Sequence, residues 1–304
     1  MKDVSKYQGI IPAFYACYDN DGSVSAERTR AFTRYLIDKG VNGLYVCGSS
    51  GECIYQSVAE RKLALESVMK EAAGKITVIA HVACNNTADS MELAAHAERL
   101  GVDAIAAIPP IYFHLPEYAV AKYWNDISSA APDSDFIIYN IPQLAGTALT
   151  LPLLRTMLKN PRVIGIKNSS MPIQDIQMFK DEAGEGHVVF NGPDEQLAGG
   201  LALGADGGIG GTYAAMPEVY LAIYQAVMAG EKARAQKLQY TANRIIYALC
   251  GCHGNMYAVI KEVLRQREGL QLGGVRAPLA PVTAEDLPKI RECAEMIDAA
   301  IKAL

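Results

Sequence analysis

The stretch VIGIKNSS, residues 163–170, decides how this chain is read. Its first four residues are strand-forming with no polar alternation, the pattern of a strand covered on both faces, as in parallel sheets flanked by helices. The run then ends on a lysine, Lys167, followed by Asn and two Ser. Desolvating an ammonium group costs far more than a β position gains. Lys167 therefore either escapes to solvent or has a buried setting as its purpose.

Working outward, seven further β-rich runs recur: GIIPAFYACY from Gly9, GLYVC from Gly43, ITVIAHVAC from Ile76, VDAIAAIPP from Val102, FIIYNIP from Phe136, HVVF from His187 and GGIGG from Gly207. Amphipathic helical stretches such as 59–73 and 87–100 lie between them. Strand and helix alternating eight times is the signature of right-handed parallel β/α units, and predicts an α/β fold of the (β/α)8 TIM-barrel type. An open doubly wound sheet would want a G-x-G-x-x-G turn after its first strand, and ACYDNDGSVS has none. After the eighth unit the pattern becomes helical, roughly over 231–249, 253–266 and 283–303, with Thr283 as a helix N-cap and Asp286 three residues on. The expected organisation is a barrel over 1–230 and a C-terminal three-helix extension over 231–304 packed on it. No linker rich in Gly, Ser or Pro separates the two.

The 304 residues are half apolar and one fifth charged, enough for a large core. A net charge of −5 with scattered basic residues argues against nucleic-acid or membrane partners and for a small-molecule substrate. The first residues carry no apolar segment with a small-residue cleavage site, and the longest uncharged run, 136–154, is interrupted by Pro142 and Pro152. A cytoplasmic protein is expected. Seven cysteines at irregular spacings, with no C-x-x-C pair, predict buried reduced thiols and no metal centre, with Cys250-Gly-Cys252 as an alternative redox pair.

A parallel barrel carries its site at the C-terminal ends of the strands. The residues there are GSSGE (48–52) after strand two, Tyr112 after strand four, Tyr139 near the end of strand five, Lys167 at the end of strand six, NGPDE (191–195) after strand seven and GGTY (210–213) after strand eight. Lys167 could bind a phosphate or an acidic neighbour. Alternatively, a half-buried mouth lowers its pKa and leaves a neutral amine that forms an imine with a carbonyl, giving an electron sink with no cofactor. Tyr139 is either a packed strand tyrosine or, beside such an amine, a proton shuttle. GSSGE is too short for a Walker loop; it reads as a backbone nest for a carboxylate or as an ordinary turn, with Glu52 facing solvent or holding the loop. GADGGIGGTY fails the dinucleotide pattern, and close backbone approach explains its glycines better.

GLYVCGSSGE, YNIP and GIKNSS at these separations resemble the pyruvate-dependent class I aldolase family of N-acetylneuraminate lyase and dihydrodipicolinate synthase, and the resemblance covers nearly the whole chain. It implies that Lys167 forms a Schiff base with pyruvate, that Tyr139 relays protons and that Ser49 and Ser50 hold the pyruvate carboxylate. It also implies a homotetramer in which Tyr112 reaches a neighbouring subunit's site.

The synthase branch looks for an arginine just after the tyrosine strand, where this chain has Gln143, Leu144 and Ala145. NGPDE and GADGGIGGTY are similar instead to the lyase branch, which implies that Ser169, Gly192, Asp194, Glu195 and Gly211 meet the sugar. Ser169 stands in place of a threonine, Pro193 where an aromatic often sits, and Gly211 where a serine is expected. The implied activity is reversible cleavage of N-acetylneuraminate to N-acetylmannosamine and pyruvate. Alternatives are an aldolase for another 2-keto-3-deoxy sugar acid, a synthase-like condensation, or a non-catalytic protein that binds pyruvate or a sugar acid.

Overall fold

All eight β-rich runs form strands in the computed structural model, which describes residues 3–304. They are β1 (Gly9–Pro12), β2 (Gly43–Val46), β3 (Thr77–His81), β4 (Ala104–Ala107), β5 (Asp135–Asn140), β6 (Val163–Asn168), β7 (Val188–Asn191) and β8 (Gly207–Gly210). Every pairing is parallel, in the order β1-β8-β7-β6-β5-β4-β3-β2. An isolated bridge, Ala13 to Tyr45, brings β1 against β2 and closes the ring, and the Phe14 N–H donates to the Tyr45 carbonyl at 2.9 Å. The (β/α)8 barrel is as expected.

The barrel helices are α1 (Ala26–Asp38), α2 (Val58–Ala72), α3 (Thr87–Arg99), α4 (Glu117–Ser129), the single turn α5 (Pro142–Ala145), α6 (Leu151–Met157), α7 (Gln174–Ala183), α8 (Leu197–Ala202) and α9 (Pro217–Met228). Their starts follow local chemistry. Ser57 and Glu60 form a reciprocal capping box on α2, and Asn86 accepts the Asp89 N–H at 2.7 Å on α3. The helices cover the outer faces of strands whose inner faces also pack, so β2, β3 and β4 are buried throughout and show no polar alternation. Inside, Ile11, Tyr45, Ile79, Ile137, Ile164 and Phe190 belong to the cluster that fills the barrel.

The C-terminal extension is α10 (Lys232–Cys250), α11 (Met256–Glu268) and α12 (Leu287–Lys302). Ile245, Leu249, Val259 and Ile290 from these helices share one hydrophobic cluster with Phe32, Val219 and Ile223 of the barrel helices. Thr283 behaves as its position suggests, its N–H and hydroxyl both donating to Asp286. All seven cysteines are free. Cys17, Cys47 and Cys293 are buried, but Cys250 is exposed, so the thiols do not all lie inside.

One irregularity positions the site. Phe136 pairs with Val163, yet the next residue, Ile137, pairs with Gly165, so Ile164 is an extra residue in β6. A bulge of this kind re-phases the strand. Beyond it Tyr139 and Lys167 are direct partners, and both point into the barrel. Gly165 suits the bulge because a Cβ there would come within 2.3 Å of the Val188 carbonyl oxygen.

Candidate active site

Lys167 occupies the mouth of the barrel with only 4% of its surface exposed. Its Nζ lies 3.9 Å from the centre of the Tyr139 ring and 4.1 Å from that of Tyr45, and these two rings meet edge to face. Among the described residues no hydrogen bond or carboxylate within ion-pairing distance meets this amine. Burial pulls its pKa from 10.5 to about 7, with the more distant Asp194 and Cys53 pulling the other way. Ring faces stabilise an ammonium by about 2 kcal/mol when desolvated, which offsets only part of the cost of burial. A large fraction of Lys167 is thus a neutral amine near pH 7.

The ends of β5 and β6 are held side by side behind this amine. Asn140 Nδ2 donates to Asn168 Oδ1 at 2.7 Å, while Asn140 Oδ1 accepts the Leu149 N–H at 2.9 Å. Tyr139 is 3% exposed. Burial raises its phenol pKa, the nearby Tyr257 adds to that, and hydrogen bonding with Ser49 and Ser169 opposes it. The phenol is therefore protonated at neutral pH and linked to two hydroxyls.

A cavity of about 260 Å3 opens over Lys167 and Tyr139, and Ser49, Ser50, Ser169, Gly192, Glu195 and Gly211 also line it. Among the described residues, Lys167 is its one cationic side chain and Glu195 its one carboxylate. Gln143 and Leu144 form part of the rim, and among the described residues no arginine lines this cavity to meet a second substrate carboxylate. A larger cavity of about 570 Å3 adjoins it, sharing Ser49, Leu144 and Tyr257 as walls.

GSSGE forms a tight turn: the Gly51 and Cys53 N–H groups donate to the Gly48 carbonyl, and the Glu52 N–H to that of Ser49. Ser50 Oγ donates to Tyr257 Oη at 3.0 Å. Gly192 abuts Ser169 so closely that a Cβ would fall 2.0 Å from the serine Oγ. Only glycine fits there.

Two expected site residues lie elsewhere. Asp194 is buried behind the cavity wall, where it accepts the Gly211 N–H at 3.1 Å, the Thr212 N–H at 2.6 Å and the Thr212 hydroxyl at 2.5 Å. Burial raises its pKa to about 6 against these bonds. It fixes the loop after β8 and lends negative potential to Lys167. Tyr112 is 87% exposed at φ 86°, edge to face with Phe113, and does not line this cavity.

Three residues that carry the site were not singled out from the sequence. Tyr45 supplies the second ring over Lys167, and inward phasing on β2 could have found it. Tyr15 donates its hydroxyl to the Gly211 carbonyl at 2.6 Å. Tyr257 arrives from α11, and no local signal ties it to a strand end.

Together a buried unpaired amine, a phenol beside it and a turn of small residues suit imine chemistry on a 2-oxo acid. Among the described residues no group of three or more His, Cys, Asp or Glu could hold a metal ion. The chain matches the model of the dihydrodipicolinate synthetase family over residues 6–297. It is 63% identical over 297 residues to an N-acetylneuraminate lyase of Mediterraneibacter gnavus, spanning 98% of this chain and 94% of that protein. It is 37% identical to the N-acetylneuraminate lyase of Salmonella agona, over 95% of this chain and 97% of that one. The structure of wild-type Ruminococcus gnavus sialic acid aldolase superposes with a TM-score of 0.97 at 63% identity, over 98% of this chain and 99% of the other. A catalytic lysine mutant of that aldolase gives a TM-score of 0.99 at 62% identity, over 100% and 99% of the two chains. This chain belongs to the dihydrodipicolinate synthetase family.

Proposed function

We propose that the protein is a Schiff-base aldolase that cleaves N-acetylneuraminate reversibly to N-acetylmannosamine and pyruvate. The observation that carries this reading is the buried Lys167 amine, free of any ion-pair partner and with its pKa brought to about 7. The names and the identity of the relatives support the choice of substrate.

The neutral amine attacks C2 of the open-chain sugar acid and water leaves, giving an iminium ion. The C4 hydroxyl then loses its proton, the C3–C4 bond breaks, and its electron pair passes to the iminium as an enamine. N-acetylmannosamine departs as an aldehyde. Tyr139, held protonated by burial, serves as a relay: it takes up the C4 proton as it passes its own to the bound carboxylate, and the reverse transfer protonates C3. Hydrolysis of the imine releases pyruvate and restores the amine. The electron sink is the imine itself, so the chemistry calls for no metal or organic cofactor.

Ser49 and Ser50 hold the carboxylate of the pyruvate half. Ser169, Gly192, Glu195 and Gly211 face the sugar chain, and Asp194 acts from behind by holding the Gly211 backbone. The uncharged rim at Gln143 and Leu144 disfavours a synthase-like condensation, which brings a second carboxylate. A cytoplasmic homotetramer belongs to the same reading, and the exposed Tyr112 supports it as the side chain that enters a neighbouring copy's site. The decisive experiment is borohydride reduction in the presence of pyruvate, followed by mass measurement of the peptide carrying Lys167. The peptide gains the reduced pyruvyl adduct; an unmodified peptide would remove the imine from the mechanism. Pyruvate release measured across a panel of 2-keto-3-deoxy sugar acids then tests the substrate.

A further inference from the structure

The turn that carries Ser49 and Ser50 is bounded by two non-glycine residues in left-handed backbone conformations, Cys47 at φ 60° and Glu52 at φ 54°. Both are uncommon for side chains of this kind, and such strain persists only where the surroundings over-determine it. The surroundings do so at each end. At the first, His81 Nδ1 donates to the Cys47 carbonyl at 3.0 Å. Burial keeps that imidazole neutral, and its Nε2 faces the Ile108 N–H, which leaves the proton on Nδ1.

At the second end, Glu52 is not part of the wall of the cavity over Lys167, and only 1% of its surface is exposed. Its carboxylate accepts Lys261 Nζ at 2.9 Å, the Arg276 N–H at 2.9 Å and the Tyr18 hydroxyl at 3.3 Å. Lys261 also donates to the Gly274 carbonyl at 2.6 Å. Glycine would occupy a left-handed position at no cost, so a glutamate there answers to its side chain. Lys261 and Tyr257 stand four residues apart on one face of α11. The helix therefore grips the turn twice, through Tyr257 on Ser50 and through Lys261 on Glu52.

We propose that Lys261 is a positioning residue for the aldol reaction: by pairing with Glu52 it sets the geometry of the Ser49–Ser50 turn and so the binding of the pyruvate carboxylate. This rests on the reading of that turn as the carboxylate site. It gives the C-terminal extension a task in substrate recognition, although Lys261 does not line the cavity over Lys167.

The test measures pyruvate saturation in the condensation direction and in borohydride trapping for the wild type and for the double variant Glu52→Gln, Lys261→Met. The double variant leaves no unpaired charge behind. Its pyruvate KM, and the pyruvate concentration giving half-maximal trapping, rise together by about ten- to a hundredfold, with kcat within about threefold, as misplacement of a binding group predicts. Glu52→Gln alone keeps the shape of the side chain and gives a smaller rise of the same kind, which covers the case of a double variant that does not fold. A folded variant with unchanged pyruvate saturation and only a lower melting temperature overturns the proposal. Wild-type protein that traps no pyruvate at all overturns instead the reading of the site on which it rests.

Discussion

Lys167 and Lys261 are both buried, and the molecule treats them in opposite ways. Lys261 meets Glu52 at 2.9 Å and a backbone carbonyl at 2.6 Å, so its charge is matched and its nitrogen tied down. Lys167 meets two aromatic faces and the open side of the cavity. Burial lowers the pKa of both, but at Lys261 the adjacent carboxylate opposes it directly, whereas at Lys167 the opposing Asp194 stands behind a wall and is engaged elsewhere. On the proposed mechanism, the same side chain is a strut where a counter-charge is in contact and a nucleophile where none is. What separates the two roles is the partner rather than the depth.

One substitution made at both sites breaks the comparison most sharply. Lys167→Met abolishes turnover by about 10^4-fold or more, since among the described residues no other amine faces the cavity; steady-state pyruvate release checks this. Lys261→Met leaves the buried Glu52 carboxylate without its counter-charge and lowers unfolding free energy by about 3–5 kcal/mol, read from urea denaturation.

The acid limb of kcat/KM provides the next test. Below about pH 7 the Lys167 amine is increasingly protonated, so the rate falls toward tenfold per pH unit. A rate profile flat from pH 7 to 5 would contradict a neutral nucleophile.

Stability changes with pH in the same direction, over a higher window. The folded pKa of Lys167 lies below its unfolded value, so the unfolded chain binds more protons between about pH 7 and 10.5. The lysine therefore destabilises the fold most below pH 7, and its penalty fades as pH rises through that window. Lys167→Met should melt several degrees above the wild type at pH 6, and the gap should narrow toward pH 10 in thermal scans. Gly211→Ser is the mildest change. The new Cβ meets Tyr257 Oη at 3.5 Å and Ser50 Oγ at 3.6 Å, ordinary contact distances, so unfolding free energy should stay within about 0.5 kcal/mol of the wild type.

The architecture was legible because it is written locally. Unalternating apolar runs and the amphipathic stretches between them gave the eight strands, and strand ends pointed to Lys167, Tyr139 and the GSSGE turn. The illegible part depends on contacts across the chain. The GSSGE turn alone does not say whether Glu52 faces solvent or holds the loop, and its buried partner is Lys261, 209 residues away. Asp194 is expected from the resemblance to meet the sugar, but three donors from the β8 loop hold its carboxylate behind the cavity wall. Tyr257 has no motif around it, since its hydroxyl reaches the site only when α11 docks on the barrel. Residues of this kind are fixed by packing, which periodicity does not encode.

The bulge at Ile164 gives β6 a spare residue. Val163 and Lys167 stand four positions apart while their partners Phe136 and Tyr139 stand three apart, so the extra residue lets Val163 face the helices and Lys167 the cavity. Downstream of the bulge there is no such slack: one residue gained or lost between Gly165 and Lys167 would turn the amine toward the helices and silence the molecule.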